Sequence, residues 1–225
     1  MNSTRKQSGS RGVNIPCISN YFGMRKYSLV ILTSLLLSLS LFGNDDMKDK
    51  FETATFGGGC FWCTEAIFER VKGVQHVESG YSGGNVANPT YKMVTSGTTG
   101  HAEVIQITYD PEIVSYLELL EIFFKTHDPT TLNRQGADVG TQYRSIVLYH
   151  SDEQHKLALE TIQQLDSEEI WRDPIVTQVE AFESFYSAEA YHQEYYENNP
   201  NLGYCRMVIN PKVEKFEKVF RDKLK

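Results

Sequence analysis

The chain has 225 residues, of which 40% are hydrophobic, 12% aromatic and 23% charged. These proportions are ordinary for a globular protein and exclude a disordered chain, a coiled coil, a collagen-like fibre and a multi-span membrane protein. The net charge is −7, although five basic residues and no acidic residue precede position 27. The rest of the chain is therefore strongly acidic and should repel phosphate backbones, which excludes nucleic acid as a partner.

Residues 29–43 form an apolar run shortly after a cationic pair, a pattern typical of a secretory signal. The run is shorter than the roughly 20 residues that a membrane span needs. Met24 stands just before the cationic pair, so we expect residues 1–23 to be an upstream extension and residues 24–43 to be a signal peptide or, alternatively, an uncleaved membrane anchor. The protein is therefore expected to be secreted or periplasmic; it would be membrane-anchored if the segment is retained, and cytoplasmic if the signal does not function.

Strands and helices alternate from about Lys50 onward, and no long linker interrupts them. This alternation predicts a single-domain α/β sandwich, one sheet with helices packed on it. Two long polar loops, at 82–101 and 127–142, are of the kind that often carries function. In chain order the predicted elements are a strand at 52–56, a helix at 62–71, strands at 74–81 and 102–109, a helix from Ser115 to Thr126, a strand at 143–149, a helix capped by Ser151, a strand at 175–182, a helix at 188–197, and a helix opened by Asn210 and Pro211.

Cys60 stands where the first predicted strand ends and the first predicted helix begins. Three glycines at 57–59 precede it and let the backbone turn sharply without steric cost. A helix start directs free N–H groups and the positive end of the dipole at the sulfur, which predicts a thiol pKa below the usual value of about 8.5 and a nucleophile at neutral pH. The alternative interpretation is a buried structural cysteine in a glycine turn.

Cys60 and Cys63 also form a lone Cys-x-x-Cys motif. A zinc site would need two further ligands, and the sequence offers neither a second such motif nor a close histidine pair, so we predict no metal. Two hypotheses stay open on these residues alone. One is a generic thiol–disulfide oxidoreductase that uses the cysteine pair, and the other is a secreted binding module in which the pair forms a structural clip.

Residues 59–62, Gly-Cys-Phe-Trp, with Glu65 after them, resemble the signature of the methionine sulfoxide reductase A family. The likeness extends from about Thr53 to the C-terminus, so residues 50–225 are the predicted catalytic domain. The resemblance implies an α/β sandwich with a ferredoxin-like core and a monomer without cofactors. It also implies reduction of the S epimer of methionine sulfoxide, either free or in oxidised proteins, which are thereby repaired. Thioredoxin is the usual reductant of the family. Further matching motifs lie, in the family's order, at residues 80–84, 88–91, 100–103, 127–129 and 134–145.

The same resemblance assigns roles to five polar residues. Cys60 attacks the sulfoxide sulfur, and Glu103 supplies a proton to the departing oxygen, because oxide is a very poor leaving group and water a good one. Glu103 must then be protonated near neutral pH, which burial among apolar neighbours can achieve. Tyr91 and Tyr143 correspond to tyrosines whose hydroxyls hold the sulfoxide oxygen, and Asp138 corresponds to a residue that orients the pocket through water.

Aromatic residues around the cysteine are expected to bind the substrate. Phe61 and Trp62 would form the pocket for the substrate methyl group and set the orientation of the sulfoxide by rejecting its polar oxygen. Ordinary core packing is the alternative for both. His192 and the tyrosines around it are assigned to a helix face packed on the sheet rather than to the site.

After the first step Cys60 is expected to be a sulfenic acid, with which a second thiol condenses to a disulfide. The resemblance places that thiol near the C-terminus, where Cys205 follows residues 199–203, a segment predicted to be mobile from its glycine and asparagine. Cys63 stands where many relatives have glycine and is a rival resolving cysteine or a relay to the outside. We favour Cys205 as the resolving cysteine, and we expect Cys17, in the predicted leader, to play no part.

Overall fold

The computed structural model describes residues 50–225. The predicted extension at 1–23, the predicted signal peptide or anchor at 24–43 and Cys17 lie outside the described residues. Within residues 50–225, no helix has both the length and the apolar composition needed to cross a membrane.

The described residues fold as one mixed six-stranded sheet with a separate small hairpin, which confirms the predicted α/β architecture. The strands are β1 (Glu52–Gly58), β2 (Val74–Ser82), β3 (Ala102–Tyr109), β4 (Arg134–Gln135), β5 (Asp138–Val139), β6 (Ser145–Tyr149), β7 (Gln178–Ala181) and β8 (Phe185–Ser187). The large sheet has the order β7-β6-β1-β3-β2-β8, and β4 pairs with β5. Only β6 and β7 are parallel; the other neighbouring strands are antiparallel.

Six α-helices accompany the strands in this part of the chain: α1 (Phe61–Phe68), α2 (Tyr91–Thr95), α3 (Tyr116–Thr126), α4 (Asp152–Ser167), α5 (Tyr195–Asn198) and α6 (Asn210–Val219). The predicted capping box of α3 is confirmed, since the Ser115 hydroxyl accepts from the Glu118 N–H and the Glu118 carboxylate accepts from the Ser115 N–H. The two polar loops are less irregular than predicted, because α2 lies in the first and the β4–β5 hairpin in the second.

The sheet is buried on both faces because its strands direct alternate apolar side chains into two clusters. Ile105 and Ile107 on β3 belong to the larger core, which also contains buried residues of α1, α3 and α6, whereas Val104 belongs to a smaller cluster on the opposite face. Phe56 on β1 stacks on Phe123 of α3, with ring centroids 5.0 Å apart. Burying each such side chain contributes roughly 1.5–3 kcal/mol, so this packing holds the end of β1, from which the chain enters α1.

The predicted helix at 188–197 is wrong. Ala190–His192 form a single 3-10 turn, and only Tyr195–Asn198 are α-helical. The Gln193 side chain explains the break, because its amide accepts from the backbone N–H of Ser79 on β2 and donates to the carbonyl of the same residue, at 2.9 Å each. Long-range hydrogen bonds of this kind hold the segment against the sheet edge, and helical periodicity does not reveal them.

The last helix does not open at Asn210 as predicted. The chain is already helical in a π-helical stretch, Cys205–Ile209, that continues directly into α6. Asn210 has helical backbone angles (φ −50°, ψ −50°) and is therefore not an N-cap. Cys205 is fully buried in this helical stretch, so the structure does not present its thiol on a mobile loop.

Candidate active site

Cys60 caps the N-terminus of α1 and is almost buried, with 8% of its surface exposed. The preceding Gly59 has φ +94°, and a Cβ atom at this position would lie 2.6 Å from Cγ of Gln135. Glycine is therefore required both for the backbone conformation and for the space that Gln135 occupies. This turn delivers the Cys60 sulfur to the start of the helix.

Replacing Gly59 by alanine is expected to destabilise the protein. The left-handed backbone costs about 1–2 kcal/mol for a residue with a Cβ atom, and the contact with Gln135 adds about 1–3 kcal/mol of overpacking. Urea unfolding measures the loss. Gly136→Ala is the matched control, because Gly136 also has a positive φ (+62°) but no atom within 4 Å of its Cβ position. A Gly59→Ala protein as stable as the control would argue against this packing.

Glu103 approaches Cys60 from strand β3. Its Oε2 atom accepts a hydrogen bond of 3.1 Å from the backbone N–H of Phe61, the first residue of α1, and its Oε1 atom is buried without a partner among the described residues. Burial raises the pKa of this carboxyl to about 8; the Phe61 N–H opposes the rise, and the charges of Asp138 and Cys63 add to it. Glu103 is therefore mostly protonated at neutral pH, as expected of a proton donor.

The pKa of the Cys60 thiol is raised, so the prediction of a lowered value is wrong for the substrate-free protein. Burial is the largest cause, followed by the hydrogen bond with Cys63 and the charge of Glu103. The first N–H group of the helix, that of Phe61, is donated to Glu103 and not to the sulfur. The resting sulfur is consequently a thiol that carries its own proton.

Cys63, one helical turn after Cys60, is the more acidic of the two thiols. Interaction with the Cys60 thiol lowers its pKa; burial opposes this change, and the positive charge of Lys212 and the Tyr204 hydroxyl support it. The Tyr204 hydroxyl oxygen lies 4.0 Å from the Cys63 sulfur. Of the two thiols, Cys63 therefore gives up its proton more readily to form the thiolate, the form that reacts with oxidised sulfur.

Tyr91 and Asp138, one from each long loop, and Tyr143, directly after the second loop, complete the predicted catalytic set. Burial raises the pKa of Tyr91, and the charges of Glu103 and Cys60 add to the rise. Burial and the same two charges raise the pKa of Tyr143 to about 12. Both phenols are therefore neutral O–H donors at neutral pH. The charge of Asp138 acts on both Glu103 and Tyr143, so the structure brings all five residues into one neighbourhood, while their roles stay predictions.

Aromatic rings form one wall of this neighbourhood. Phe61 stacks with Tyr91 at 6.5 Å between centroids, and Trp62 stacks with Tyr195 at 3.5 Å. The Trp62 indole N–H donates to Nδ1 of His192 at 3.2 Å, and the His192 ring lies 4.4 Å from the Tyr91 ring. His192 and Tyr195 therefore belong to the site, which corrects their assignment to a helix face. The sequence feature that indicated this placement is the cluster of aromatic residues at 191–196.

Tyr204 is a site residue that the sequence analysis did not identify. Its hydroxyl donates to Oδ2 of Asp138 at 2.8 Å, and its position next to Cys205 is the signal that could have found it. Burial raises the pKa of Cys205, and the charge of Cys63 adds to the rise, so this thiol lies near Cys63.

Cys60, Cys63 and Cys205 are all free thiols. In residues 50–225 no group of three or more His, Cys, Asp or Glu side chains is arranged to hold a metal ion.

Comparison with known proteins identifies close relatives of the chain. A family model described as peptide methionine sulfoxide reductase matches residues 52–224. The peptide methionine sulfoxide reductase MsrA of Saccharolobus solfataricus is 60% identical over 174 residues, which are 77% of this chain and 97% of the relative. The protein of the same name from Deinococcus radiodurans is 56% identical over 174 residues, which are 77% of this chain and 84% of the relative.

Solved structures show the same similarity. Reduced Mxr1 from Saccharomyces cerevisiae superposes with a TM-score of 0.64 at 36% sequence identity, covering 70% of this chain and 91% of that chain. Methionine sulfoxide reductase A of Corynebacterium diphtheriae superposes with a TM-score of 0.63 at 34% identity, covering 72% of this chain and 80% of that chain. All the site residues described above lie within the range that the family model matches.

Proposed function

The chain belongs to the peptide methionine sulfoxide reductase family, and on that basis we propose how its residues carry out the reaction. The protein is a thiol-dependent oxidoreductase that reduces methionine sulfoxide to methionine. One observation carries the proposed mechanism: the Oε1 atom of Glu103 is buried without a partner among the described residues, while Oε2 binds the N–H of Phe61, next to Cys60, and burial raises the pKa of this carboxyl to about 8. Such a group can give a proton to a bound oxygen.

In the first step, the Cys60 sulfur attacks the sulfoxide sulfur while Glu103 donates its proton to the sulfoxide oxygen. The substrate S–O bond breaks, the oxygen is transferred to Cys60 as a sulfenic acid, and the substrate leaves as a thioether. The substrate sulfur gains two electrons and Cys60 loses two. The proton that the Cys60 thiol loses restores the neutral carboxyl, so the raised pKa of Cys60 is compatible with the reaction.

The positions of the apolar and polar groups support selection of one sulfoxide epimer. The buried Phe61 and the half-buried Trp62 pack together as an apolar wall for the methyl group. The hydroxyls of Tyr91 and Tyr143, whose pKa values the charge of Glu103 raises, would hold the oxygen near that carboxyl. With Cys60 attacking from a third direction, only one configuration at sulfur satisfies all three contacts. Family membership indicates that this is the S epimer, free or within a protein chain.

The generic thiol–disulfide oxidoreductase considered from the Cys-x-x-Cys motif makes a different prediction. It would reduce a small disulfide such as oxidised glutathione and leave a sulfoxide peptide unchanged. The proposed function expects the reverse when each compound is offered with dithiothreitol as electron donor and the rate of an enzyme-free control is subtracted, because dithiothreitol itself reduces disulfides. Measured turnover of the disulfide without turnover of the S-sulfoxide would refute it.

The geometry supports Cys63, rather than the favoured Cys205, as the first thiol to resolve the sulfenic acid. Cys63 lies one helical turn from Cys60, and its pKa is lowered whereas that of Cys60 is raised. Cys205 is fully buried in the π-helical stretch, and the charge of Cys63 acts on it. Cys63 would attack the sulfenic sulfur and release water, forming a Cys60–Cys63 disulfide. Cys205 would then attack the Cys63 sulfur, restoring the Cys60 thiol and leaving a Cys63–Cys205 disulfide.

Two serine variants distinguish the order of these steps. After a single turnover without reductant, Cys205→Ser is expected to contain the Cys60–Cys63 disulfide, formed at the wild-type rate. Cys63→Ser is expected to form a disulfide at least about tenfold more slowly and to accumulate a sulfenic acid that dimedone traps. Peptide mapping by mass spectrometry identifies the bridges. Rapid formation of a Cys60–Cys205 bridge in Cys63→Ser would restore Cys205 as the first resolving cysteine.

A dithiol protein of the thioredoxin type is the reductant that we propose for the final disulfide. Leu202 and Met207 flank Cys205 and are 48% and 76% exposed, so the Cys205 end of the disulfide relay has an apolar surface that a partner could contact.

Export of a monomeric protein by residues 24–43 is also proposed, from the cationic pair and the apolar run alone. N-terminal sequencing of the secreted protein tests the export, and a start before Met24 would refute the proposed leader.

A further inference from the structure

Glu189 connects the segment after β8 to two tyrosines on other elements. Its Oε1 atom accepts a hydrogen bond of 2.9 Å from the backbone N–H of Tyr91, and its Oε2 atom accepts one of 2.8 Å from the hydroxyl of Tyr81 on β2. Burial alone would raise the pKa of Glu189, but these two hydrogen bonds and the nearby His192 lower it overall. The carboxylate is therefore ionised at neutral pH, where it is a strong acceptor.

The position of Tyr91 depends on this contact. Tyr91 is the first residue of α2, a helix of five residues in the loop at 82–101, and its N–H has no acceptor within so short a helix. The other side-chain and capping hydrogen bonds of α2 are local, between Thr90 and Gly97. Within the described residues, Glu189 therefore supplies the only backbone hydrogen bond that joins α2 to a part of the chain outside this loop.

The same segment also positions the neighbouring ring. His192, three residues after Glu189, accepts the indole N–H of Trp62 and lies 4.4 Å from the Tyr91 ring. Gln193 binds both backbone groups of Ser79, so the carboxylate is held on a backbone that is itself anchored to the sheet. A fixed acceptor of this kind limits the movement of the Tyr91 hydroxyl relative to Cys60 and Glu103.

We propose that Glu189 is a positioning residue of the reductase, which holds the Tyr91 hydroxyl where the sulfoxide oxygen binds. This inference rests on the proposed role of Tyr91 as a donor to that oxygen. Glu189 touches neither the substrate nor the reacting sulfur; it acts through the backbone of Tyr91. Misplacement of a contact by about 1 Å can reduce a rate by up to about 100-fold, so loss of the anchor should be measurable.

The test is a double-mutant cycle on the rate constant for methionine formation in a single turnover at saturating peptide S-sulfoxide. Tyr91→Phe is expected to lower this rate constant by about 10²- to 10³-fold. Glu189→Ala is expected to lower it by about tenfold with little change in the concentration for half-saturation. The double variant should be no slower than Tyr91→Phe alone, because the anchor has no effect once the hydroxyl is absent.

Two further variants separate this role from a general structural one. Glu189→Gln keeps an acceptor for the Tyr91 N–H and should recover most of the loss. Tyr81→Phe removes only the second hydrogen bond of Glu189 and should remain close to wild type. Multiplicative effects of Glu189→Ala and Tyr91→Phe, or no recovery in Glu189→Gln, would overturn the inference. A wild-type rate for Tyr91→Phe would instead reject the role of Tyr91, and the inference with it.

Discussion

Cys60→Ser is expected to form no methionine from either sulfoxide epimer, with or without dithiothreitol. A serine hydroxyl cannot accept the sulfoxide oxygen as a sulfenic acid, so the first step has no product. Removing a nucleophile that defines a mechanism lowers turnover by at least about 10⁴-fold in comparable enzymes. The measurement is methionine release, quantified by chromatography at enzyme concentrations close to that of the substrate.

The expected loss must come from chemistry and not from unfolding. Cys60 lies at a helix cap with no side-chain hydrogen bond to the cap, so serine should change the free energy of unfolding by no more than about 1–2 kcal/mol. Cys205→Ser is the matched control, since it also replaces a buried thiol but should still complete one turnover. Residual turnover by Cys60→Ser comparable to that of the control would show that another group attacks the sulfoxide.

Glu103→Gln is expected to slow the chemical step by about 10²- to 10⁴-fold while leaving the fold intact. Glutamine keeps an acceptor for the Phe61 N–H but has no acidic proton for the sulfoxide oxygen. The pKa of Glu103 is raised to about 8, so the carboxyl is protonated below this pH and loses its proton above it. The wild-type single-turnover rate should therefore fall as the pH rises through about 8, and Glu103→Gln should lack that fall.

A second buried carboxyl provides the control for this pH profile. Glu65 on α1 is 1% exposed, and burial raises its pKa to about 7, but its contacts are with Ser79 and Tyr195 rather than with Cys60. Glu65→Gln should keep the decrease in rate near pH 8. Wild-type activity in Glu103→Gln would show that another group donates the proton to the sulfoxide oxygen. The same conclusion would follow if only Glu65→Gln abolished the decrease in the single-turnover rate near pH 8.

Local sequence signals predicted the elements whose boundaries depend on neighbouring residues. The capping box of Ser115 and Glu118 is an interaction over three residues, and α3 begins and ends where it was predicted. The predicted turn of three glycines is confirmed only at Gly59, whose missing side chain permits its positive φ, because Gly57 and Gly58 continue β1 and pair with β6. Resemblance to the family then selected Glu103, Tyr91 and the other catalytic candidates, which composition and periodicity could not have distinguished from core residues.

Signals of the same local kind failed where a distant group determines the outcome. A helix N-terminus lowers the pKa of a thiol, but burial by distant parts of the chain raises that of Cys60, and the Phe61 N–H is donated to Glu103, 42 residues away. The aromatic spacing at 191–196 is compatible with a helix, yet Gln193 binds the backbone of Ser79 on the sheet. Neither the chain separation nor the hydrogen-bond partner is encoded in the local pattern, so only the structure reveals them.

We propose that the Cys60 sulfur takes the oxygen of methionine S-sulfoxide with the help of a neutral carboxyl. Single turnover without reductant tests it most directly, with excess enzyme mixed separately with peptides that contain the S or the R epimer. We predict about one methionine per enzyme from the S epimer, none from the R epimer, and an intramolecular disulfide that includes Cys63. If both epimers remain unchanged, even after ample dithiol is added, the claim is wrong.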